Sequence, residues 1–478
     1  MKLSRHLPFR SGFHCSTVFL VVLLQFIFLW HQLKLNINSP GPNLRRSLTV
    51  RVPDETHAFL DRAADGIAEQ YHAKLLAAQG DPSHKVIIFD CLEQGKCYGL
   101  GDRLRGISTL FYLSVLTGSS FFINAPIPYP LENFMVPRLH DWRINGNNET
   151  GKQSKKPCTW AEGLEGRIQT PFDEVDEPKP ELAQVDTVGR NLLKQSSLRS
   201  QQDTQFWDWL IQWPQRLWKV DVETFDAEQE LSGKRLHRFI CNLGYPQAYL
   251  TNEHLKKEVQ GYHMDKLPQH YLFPVALRVL FKPSPCVQAE MDQYVRRFPD
   301  WHDPDTIKIG VQVRTYVMEG APIIDGFLTG HIQPPPLECY EDLMFDIIRD
   351  EFRRRTQSMN ELDKWDDRSR LRERVIVFVT SDNQQAIDYL NTNLFQFGIR
   401  SFSTKHMPSH ILESTTIEAA AKTYIDWWLL TQMDRLLITK STFGETAAAY
   451  SLKPTVVVDG WVDSCRTWKF NNTFHSDG

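Results

Sequence analysis

The sequence has 478 residues, of which 41% are hydrophobic and 23% are charged, and its 54 basic and 58 acidic side chains give a formal net charge of −4. This apolar content excludes wholesale disorder and a collagen-like repeat. The near-neutral charge provides no overall basic field, so we expect no nucleic-acid partner. The length predicts about two to three domains and leaves the oligomeric state open.

The most apolar stretch lies close to the N-terminus. Residues 15–33 carry no charge and would form a helix of about 28 Å, just long enough to cross a bilayer. A cleaved signal peptide is the alternative, but no convincing small-residue cleavage site follows Trp30. We therefore predict a cytosolic tail at 1–14, a transmembrane anchor at 15–33, and a stem with a leading helix at 34–80.

Two features after the anchor indicate the secretory lumen. Asn148 and Asn471 each begin a glycosylation acceptor triplet. Seven of the eight cysteines also follow the anchor, which suits disulfide bonds in a lumenal domain, with buried reduced thiols as the alternative. We predict a single-pass membrane protein whose body lies in the lumen.

Short apolar strands and amphipathic helices alternate in the body. The first unit is a strand at 85–90, a helix from about 102 to 117 and a strand at 120–124. From residue 307 the strands IKIGVQV, VIVFVT, GIRSFS, RLLIT and TVVVD alternate with helices at 337–355, 384–395, 417–432 and 443–451. This alternation predicts an α/β fold with parallel sheets. We expect two doubly wound, Rossmann-like halves at 81–300 and 301–478.

Polar side chains follow three of the later strands. Arg314 follows IKIGVQV, Asp382 follows VIVFVT, and Ser441 and Thr442 come soon after RLLIT. Ligands of open parallel sheets bind outside the carboxyl ends of the strands, so we expect these residues to meet. An arginine, a helix N-terminus and two hydroxyl groups suit the phosphates of a nucleotide diphosphate, and the aspartate could accept from its base or ribose.

Each of these residues also has a purely structural interpretation. Thr442 and Glu445 match a capping box, so the threonine could only cap its helix. Asp382 could cap the next helix, and Arg314 could be an ordinary ion-pair partner. A glycine-containing turn, GLGDRLRG at 99–106, provides a second and weaker candidate site.

Two other motifs have a structural and a functional interpretation. The sequence Asp303-Pro304-Asp305 is similar to a metal-binding DxD motif, but it precedes a strand and is better interpreted as a turn. Tryptophans at 207, 209, 213 and 218 either pack together or offer faces for sugar rings.

Several segments together resemble GDP-fucose-dependent fucosyltransferases, most closely the plant-type xyloglucan α1,2-fucosyltransferases. They are GLGDRLRGISTLFYLSVLTG, SFFI, IGVQVR, VIVFVTSDN and LLITKSTFGETAAAYSLKPTVVVDGW. The resemblance covers roughly 85–124 and 305–462. It implies a GT-B-like, inverting glycosyltransferase of the Golgi membrane, of single-pass type II topology, with an acceptor-side N-terminal half and a GDP-fucose-binding C-terminal half.

The resemblance also implies roles for individual residues. Arg314 would contact the pyrophosphate of GDP-fucose, and the transfer would need neither a metal nor another cofactor. The remaining nucleotide-sugar-binding positions would be Gly101, Arg103, Asp382, Ser441, Thr442 and Phe443. Thr315 stands where α1,6 enzymes carry a second arginine, which argues against that linkage.

A general base for the acceptor hydroxyl is harder to identify. Glu319 lies five residues after Arg314 and is our candidate, with Asp325 as the second choice, although both could be solvated loop carboxylates. Two alternatives remain open for the whole chain. One is a catalytically silent lectin-like or scaffold protein with the same fold, and the other is a transferase that uses a different nucleotide sugar.

Overall fold

The computed structural model describes ten ranges of the chain, which are 54–91, 98–144, 209–212, 219–233, 235–240, 244–315, 336–356, 374–406, 416–459 and 465–470. Several of our predictions lie outside these ranges, namely the cytosolic tail, the membrane anchor, the stem before residue 54, Asn148, Glu319, Asp325 and Asn471. Within the described ranges, none of the helices combines the length and the apolarity that a bilayer crossing requires.

The N-terminal part of the described chain contains a four-stranded parallel sheet. Its strand order is β2-β1-β5-β4, and β1 pairs in parallel with both neighbours. The elements are α1 (Asp54–Ala77), β1 (Val86–Asp90), α2 (Leu100–Thr117), β2 (Ser120–Asn124), β3 (Met135–Pro137), β4 (Trp209–Gln212), α3 (Lys219–Thr224), α4 (Ala227–Glu230) and β5 (Leu236–Ile240). The leading helix and the first strand–helix–strand unit are confirmed, whereas β4 and β5 come from a region without a clear pattern.

Short helices connect this sheet to the C-terminal one. They include α5 (Lys256–Gly261), α6 (Leu272–Leu280) and α7 (Pro285–Val295), with β6 (Phe281–Pro283) pairing antiparallel to β3. Short 3₁₀-helices are found at Leu131–Asn133, Pro246–Thr251, Glu253–Leu255, Met264–Lys266 and Gln269–Tyr271.

The C-terminal part contains a six-stranded sheet with the order β12-β11-β10-β7-β8-β9. Its elements are β7 (Ile307–Val313), α8 (Leu337–Thr356), β8 (Val375–Ser381), α9 (Gln384–Gln396), β9 (Arg400–Phe402), α10 (Ile417–Thr431), β10 (Arg435–Thr439), α11 (Thr442–Ser451), β11 (Thr455–Val458) and β12 (Thr467–Lys469). All five predicted strands and all four predicted helices are present. The unpredicted β12 pairs antiparallel to β11 at one edge.

One large hydrophobic core extends through both parts of the described chain. Its buried side chains come from α1, α2 and α6 on the N-terminal side and from α10 and α11 on the C-terminal side. Helix α2 is central to it, since nearly every residue from Leu100 to Leu116 is buried. A second core fills the other face of the C-terminal sheet, beneath α8 and α9.

A disulfide bond joins Cys339, in the first turn of α8, to Cys465, shortly before β12. The two cysteines are 126 residues apart in the chain. Cys91 and Cys286 each take part in a disulfide bond as well. The prediction of disulfides is therefore confirmed for four of the seven cysteines that follow residue 33.

Candidate active site

The topology of the C-terminal sheet locates a candidate site. Counted in chain order from β7, its strands are arranged 6-5-4-1-2-3, the doubly wound order, and the order reverses between β7 and β10. Connections run in opposite directions from this point, so a crevice opens outside the carboxyl ends of the two strands. Arg314 follows β7 directly, and Lys440 follows β10.

Arg314 and Asp382 meet at this edge, as the sequence predicts. Arg314 Nη1 lies 2.9 Å from Asp382 Oδ2, with 16% and 10% of the two side chains exposed. The other oxygen, Oδ1, accepts hydrogen bonds from the Thr315 backbone N–H at 2.9 Å and from the Thr315 hydroxyl at 3.1 Å. The Arg314 backbone N–H donates to Thr439 Oγ1 at 2.7 Å, which fixes the turn after β7 against β10.

Asp382 therefore orients the arginine and does not cap the following helix. The N-cap of α9 is Asn383, whose side chain accepts from the Gln385 N–H. The alternative of a capping Asp382 is wrong for this reason. Arg314 does have an ion-pair partner, and that partner lies inside the predicted site.

The N-terminus of α11 lies beside this pair. Ser441 is its N-cap and accepts from the Gly444 N–H at 3.4 Å, while its hydroxyl donates to Gln312 Oε1 at 3.2 Å. The capping box predicted at Thr442 is thus wrong by one residue, because the serine already occupies the capping position. Thr442 and Phe443 form the first helical turn.

Gly101 lies in the first turn of α2 and brings that helix against the N-terminus of α11. A Cβ atom at this glycine would lie 2.3 Å from the Thr442 carbonyl carbon and oxygen and 2.7 Å from the Phe443 nitrogen. Only a residue without a side chain permits this backbone approach. Two residues that the sequence places more than 300 positions apart are therefore neighbours, as the hypothesis of a shared site requires.

Asp102 reinforces that contact. Its Oδ2 accepts from the Gly99 N–H at 3.1 Å, and its carboxyl group also accepts from the Thr442 hydroxyl. Burial raises the pKa of Asp102 above its usual value, and the charge of Arg105 opposes the shift. Asp102 thus connects the N-terminus of α2 to that of α11.

Arg103 is buried, with 3% of its surface exposed. Its Nε donates to the Tyr98 carbonyl at 3.1 Å and its Nη1 donates to the Ile127 carbonyl at 2.6 Å. Its Nη2 has no hydrogen-bond partner among the described residues. The guanidinium therefore holds the residues before α2 in place and leaves its Nη2 group unsatisfied among the described residues. Its predicted role in binding stays a prediction.

A buried polar network escaped the sequence analysis. Asp426 in α10 accepts from Lys422 Nζ and from the hydroxyls of Thr380 and Thr404, each at 2.6 Å. The network fixes α10 against the end of β8 and the residues that follow β9. The available signal was a lysine and an aspartate four residues apart on one face of an otherwise apolar helix.

Glu445 is a further acidic residue near the candidate site that the sequence analysis did not identify as a site residue. It lies in the first turn of α11, where Arg105, Lys440 and Asp102 influence its charge. Burial is the largest effect and raises the pKa of Glu445 to about 6. The sequence shows this residue only as part of a capping pattern.

The remaining motifs fit structural roles. Asp303 forms a turn before β7, in which its side chain accepts from the Asp305 N–H at 2.8 Å. No cluster of three potential metal ligands occurs among the described residues. Of the four tryptophans at 207–218, only Trp209 belongs to the described chain, where it begins β4. Trp427 and Trp428 are buried in the core.

Searches by sequence produced no match to a protein-family model and no match to a curated protein. Comparison of structures found solved fucosyltransferases. A mutant of Arabidopsis thaliana FUT1 in complex with GDP shares 13% identity and a TM-score of 0.43, over 84% of this chain and 78% of that one.

Two other solved structures have similar statistics. NodZ alpha-1,6-fucosyltransferase, co-crystallized with GDP, shares 13% identity and a TM-score of 0.38, over 79% of this chain and 95% of that one. POFUT1 in complex with GDP shares 11% identity and a TM-score of 0.34, over 77% and 95%. Each of these three TM-scores is below 0.5.

Proposed function

We propose that this chain is a fucosyltransferase that moves L-fucose from GDP-fucose to a hydroxyl group of a glycan or cell-wall polysaccharide. The observation that carries the proposal is the convergence of Arg314 and the Ser441-capped N-terminus of α11 where the strand order of the C-terminal sheet reverses. Fucose as the sugar and guanine as the base rest on the resemblance of the sequence motifs.

The pyrophosphate of the donor suits this edge. A helix N-terminus presents backbone N–H groups and a partial positive charge to an anion. Arg314 adds a permanent charge that is partly exposed and held in place by Asp382. Asp382 is then a positioning residue, since both of its oxygens already have partners within the protein.

The same groups would lower the barrier to transfer. In an inverting reaction the acceptor hydroxyl attacks the anomeric carbon of fucose while the bond to the β-phosphate breaks. Negative charge grows on the departing GDP, and Arg314 with the N-terminus of α11 is preorganised to stabilise it. This charge compensation requires no resident metal or cofactor, so we propose a metal-independent enzyme.

The rest of the proposal extends from the resemblance and the sequence. We propose that the N-terminal half binds the acceptor, that the linkage is α1,2, and that residues 15–33 anchor the protein as a type II protein in the Golgi membrane with its catalytic part in the lumen. Asn148 and Asn471 would then be available for glycosylation.

Titration of the full-length chain with GDP and UDP tests the proposal. We expect GDP to bind more tightly than UDP. Loss of charge-assisted hydrogen bonds in Arg314→Ala should weaken GDP binding by roughly 10- to 100-fold and abolish transfer, with the thermal midpoint little changed. The matched control is Arg349→Ala, which removes an exposed arginine of α8 that pairs with Asp346 and should bind GDP normally.

The outcomes separate the alternatives. A wild-type chain without GDP affinity would refute the proposal. GDP binding without transfer to any acceptor on a glycan array would favour a catalytically silent protein, and preference for UDP would favour another nucleotide sugar. Unfolding of Arg314→Ala would show that the arginine is structural.

A further inference from the structure

The carboxylates around the candidate site differ in how they are engaged. Asp382 binds Arg314 and Thr315, and Asp102 binds the Gly99 N–H and Thr442. Asp426 accepts three hydrogen bonds in its buried network. Each of these groups is occupied in supporting the fold of the site.

Glu445 is the exception. Its carboxylate takes part in no hydrogen bond and no ion pair among the described residues, and the side chain is partly exposed. It lies three residues after Thr442 on α11, so the two side chains share one helix face. That face meets the N-terminus of α2, because the Asp102 carboxyl group accepts from the Thr442 hydroxyl.

The surroundings of Glu445 contain charges of both signs. Arg105 of α2 and Lys440, which precedes α11, favour its ionised form, and Asp102 opposes it. Arg105 is itself held by a hydrogen bond from its Nε to the Gly244 carbonyl at 3.2 Å and lies over the Tyr245 ring at 4.8 Å. The carboxylate thus lies near an arginine that is held in place, and it has unused acceptor capacity.

We propose that Glu445 is the general base of the transfer reaction. The inference rests on the proposed function and gives one residue a role in it. The acceptor oxygen forms a bond to the anomeric carbon of fucose, the bond from that carbon to the β-phosphate oxygen breaks, and its electron pair leaves with GDP. The proton of the acceptor hydroxyl passes to Glu445, which later releases it to water.

The position on α11 suits both halves of this chemistry. The helix N-terminus that would stabilise the leaving phosphate lies one turn before the carboxylate. The face that carries Glu445 is turned toward α2, in the half that we propose binds the acceptor. A carboxyl group whose pKa is raised by burial to about 6 is ionised near neutral pH and accepts a proton more readily than an ordinary glutamate. Glu319 and Asp325, our candidates from the sequence, lie outside the described residues.

The test uses the full-length chain with GDP-fucose, and water serves as the acceptor. We expect Glu445→Gln to lower the rate of fucose release by about 100-fold or more at pH 7, with GDP affinity within twofold of wild type. The wild-type rate should fall below an apparent pKa near 6, and this limb should be absent from Glu445→Gln. Glu445→Asp should recover part of the rate, since it keeps a carboxylate.

The control is Glu418→Gln, which changes an acid in the first turn of the neighbouring helix α10. We expect its rate and its pH profile to match wild type. Retention of both the rate and the acidic limb in Glu445→Gln would overturn the inference while leaving the proposed function intact. Loss of GDP affinity in Glu445→Gln would also overturn it, because the residue would then be needed for binding. A wild-type chain that neither binds GDP nor releases fucose would overturn both proposals.

Discussion

Two helix N-termini meet at the candidate site, and they differ in how their first turns are satisfied. In α2 the Asp102 carboxylate turns back onto the Gly99 N–H and also holds Thr442. In α11 the neutral Ser441 hydroxyl caps the helix, and the first-turn acid Glu445 has no such partner. The N-terminus of α2 is satisfied by a carboxylate, whereas that of α11 is capped by a neutral hydroxyl.

This difference indicates which of the two helix N-termini is the better candidate for binding phosphate. A carboxylate already placed at the N-terminus of α2 occupies the position that a bound anion would take. The cap of α11 is the neutral Ser441 hydroxyl, and Arg314 and Lys440 follow the two strands at this edge of the sheet. The GLGDRLRG segment, our second and weaker candidate site, was predicted as a turn but is helical from Leu100. It is better explained as a platform that packs against α11.

The largest expected effect comes from separating the two helices. Gly101→Ala would place a methyl group 2.3 Å from backbone atoms of Thr442, which cannot move aside as a flexible side chain would. We expect a loss of about 3 kcal/mol or more of unfolding free energy together with loss of GDP binding, measured by denaturant unfolding and by calorimetry. Gly66→Ala, where no atom lies within 4 Å, should instead stabilise α1 by roughly 0.5–1 kcal/mol. Equal effects of the two variants would contradict the close approach.

The next effect concerns the acid of α11. Because folding raises the pKa of Glu445 from 4.5 to about 6, the folded state binds this proton more tightly than the unfolded state. Its contribution is most favourable below pH 4.5 and is lost as the pH rises through about 6, at a cost of about 2 kcal/mol at most. As the pH rises from 4.5 to 7, the unfolding free energy of Glu445→Gln should therefore fall less than that of Glu418→Gln, as measured by urea unfolding. Parallel pH profiles would argue that Glu445 is solvated.

The smallest effect concerns the cap of α11. Ser441→Ala removes the acceptor for the Gly444 N–H and the bond to Gln312, so we expect a loss of about 1 kcal/mol and weaker GDP binding. Ser284→Ala removes the cap of α7 in the same way and should cost similar stability without affecting GDP. If both variants bound GDP like wild type, the N-terminus of α11 would not be the phosphate site.

Much of the C-terminal fold was predictable because its strands are short apolar runs between amphipathic helices. The strands β7 to β11 and the residues that follow them emerge from this pattern alone. The edge strand β12 could not be predicted in this way, because its three residues include Thr467 and the exposed Lys469 and show no clear alternation. Its pairing with β11 depends on the chain returning to that edge, which no local pattern encodes.

The site was predictable in membership and less so in detail. Arg314 and Asp382 were expected at one edge, and they form an ion pair there. The N-caps are residues adjacent to the expected ones, Asn383 in α9 and Ser441 in α11. Either of two adjacent polar side chains can accept from a helix N–H. Glu445 was not identified as a candidate, since its environment depends on Arg105, 340 positions earlier in the chain. A local sequence motif does not show that Glu445 is buried by so distant a segment.

The hydrophobic core shared by α2, α6, α10 and α11 has a consequence for motion. Rotating the two sheets apart as rigid bodies would break this core and would separate Gly101 from Thr442. Interiors packed in this way resist gradual deformation, and exposing them is costly. We therefore expect substrate exchange to proceed by rearrangement of surface loops, with the relative orientation of α2 and α11 preserved throughout turnover.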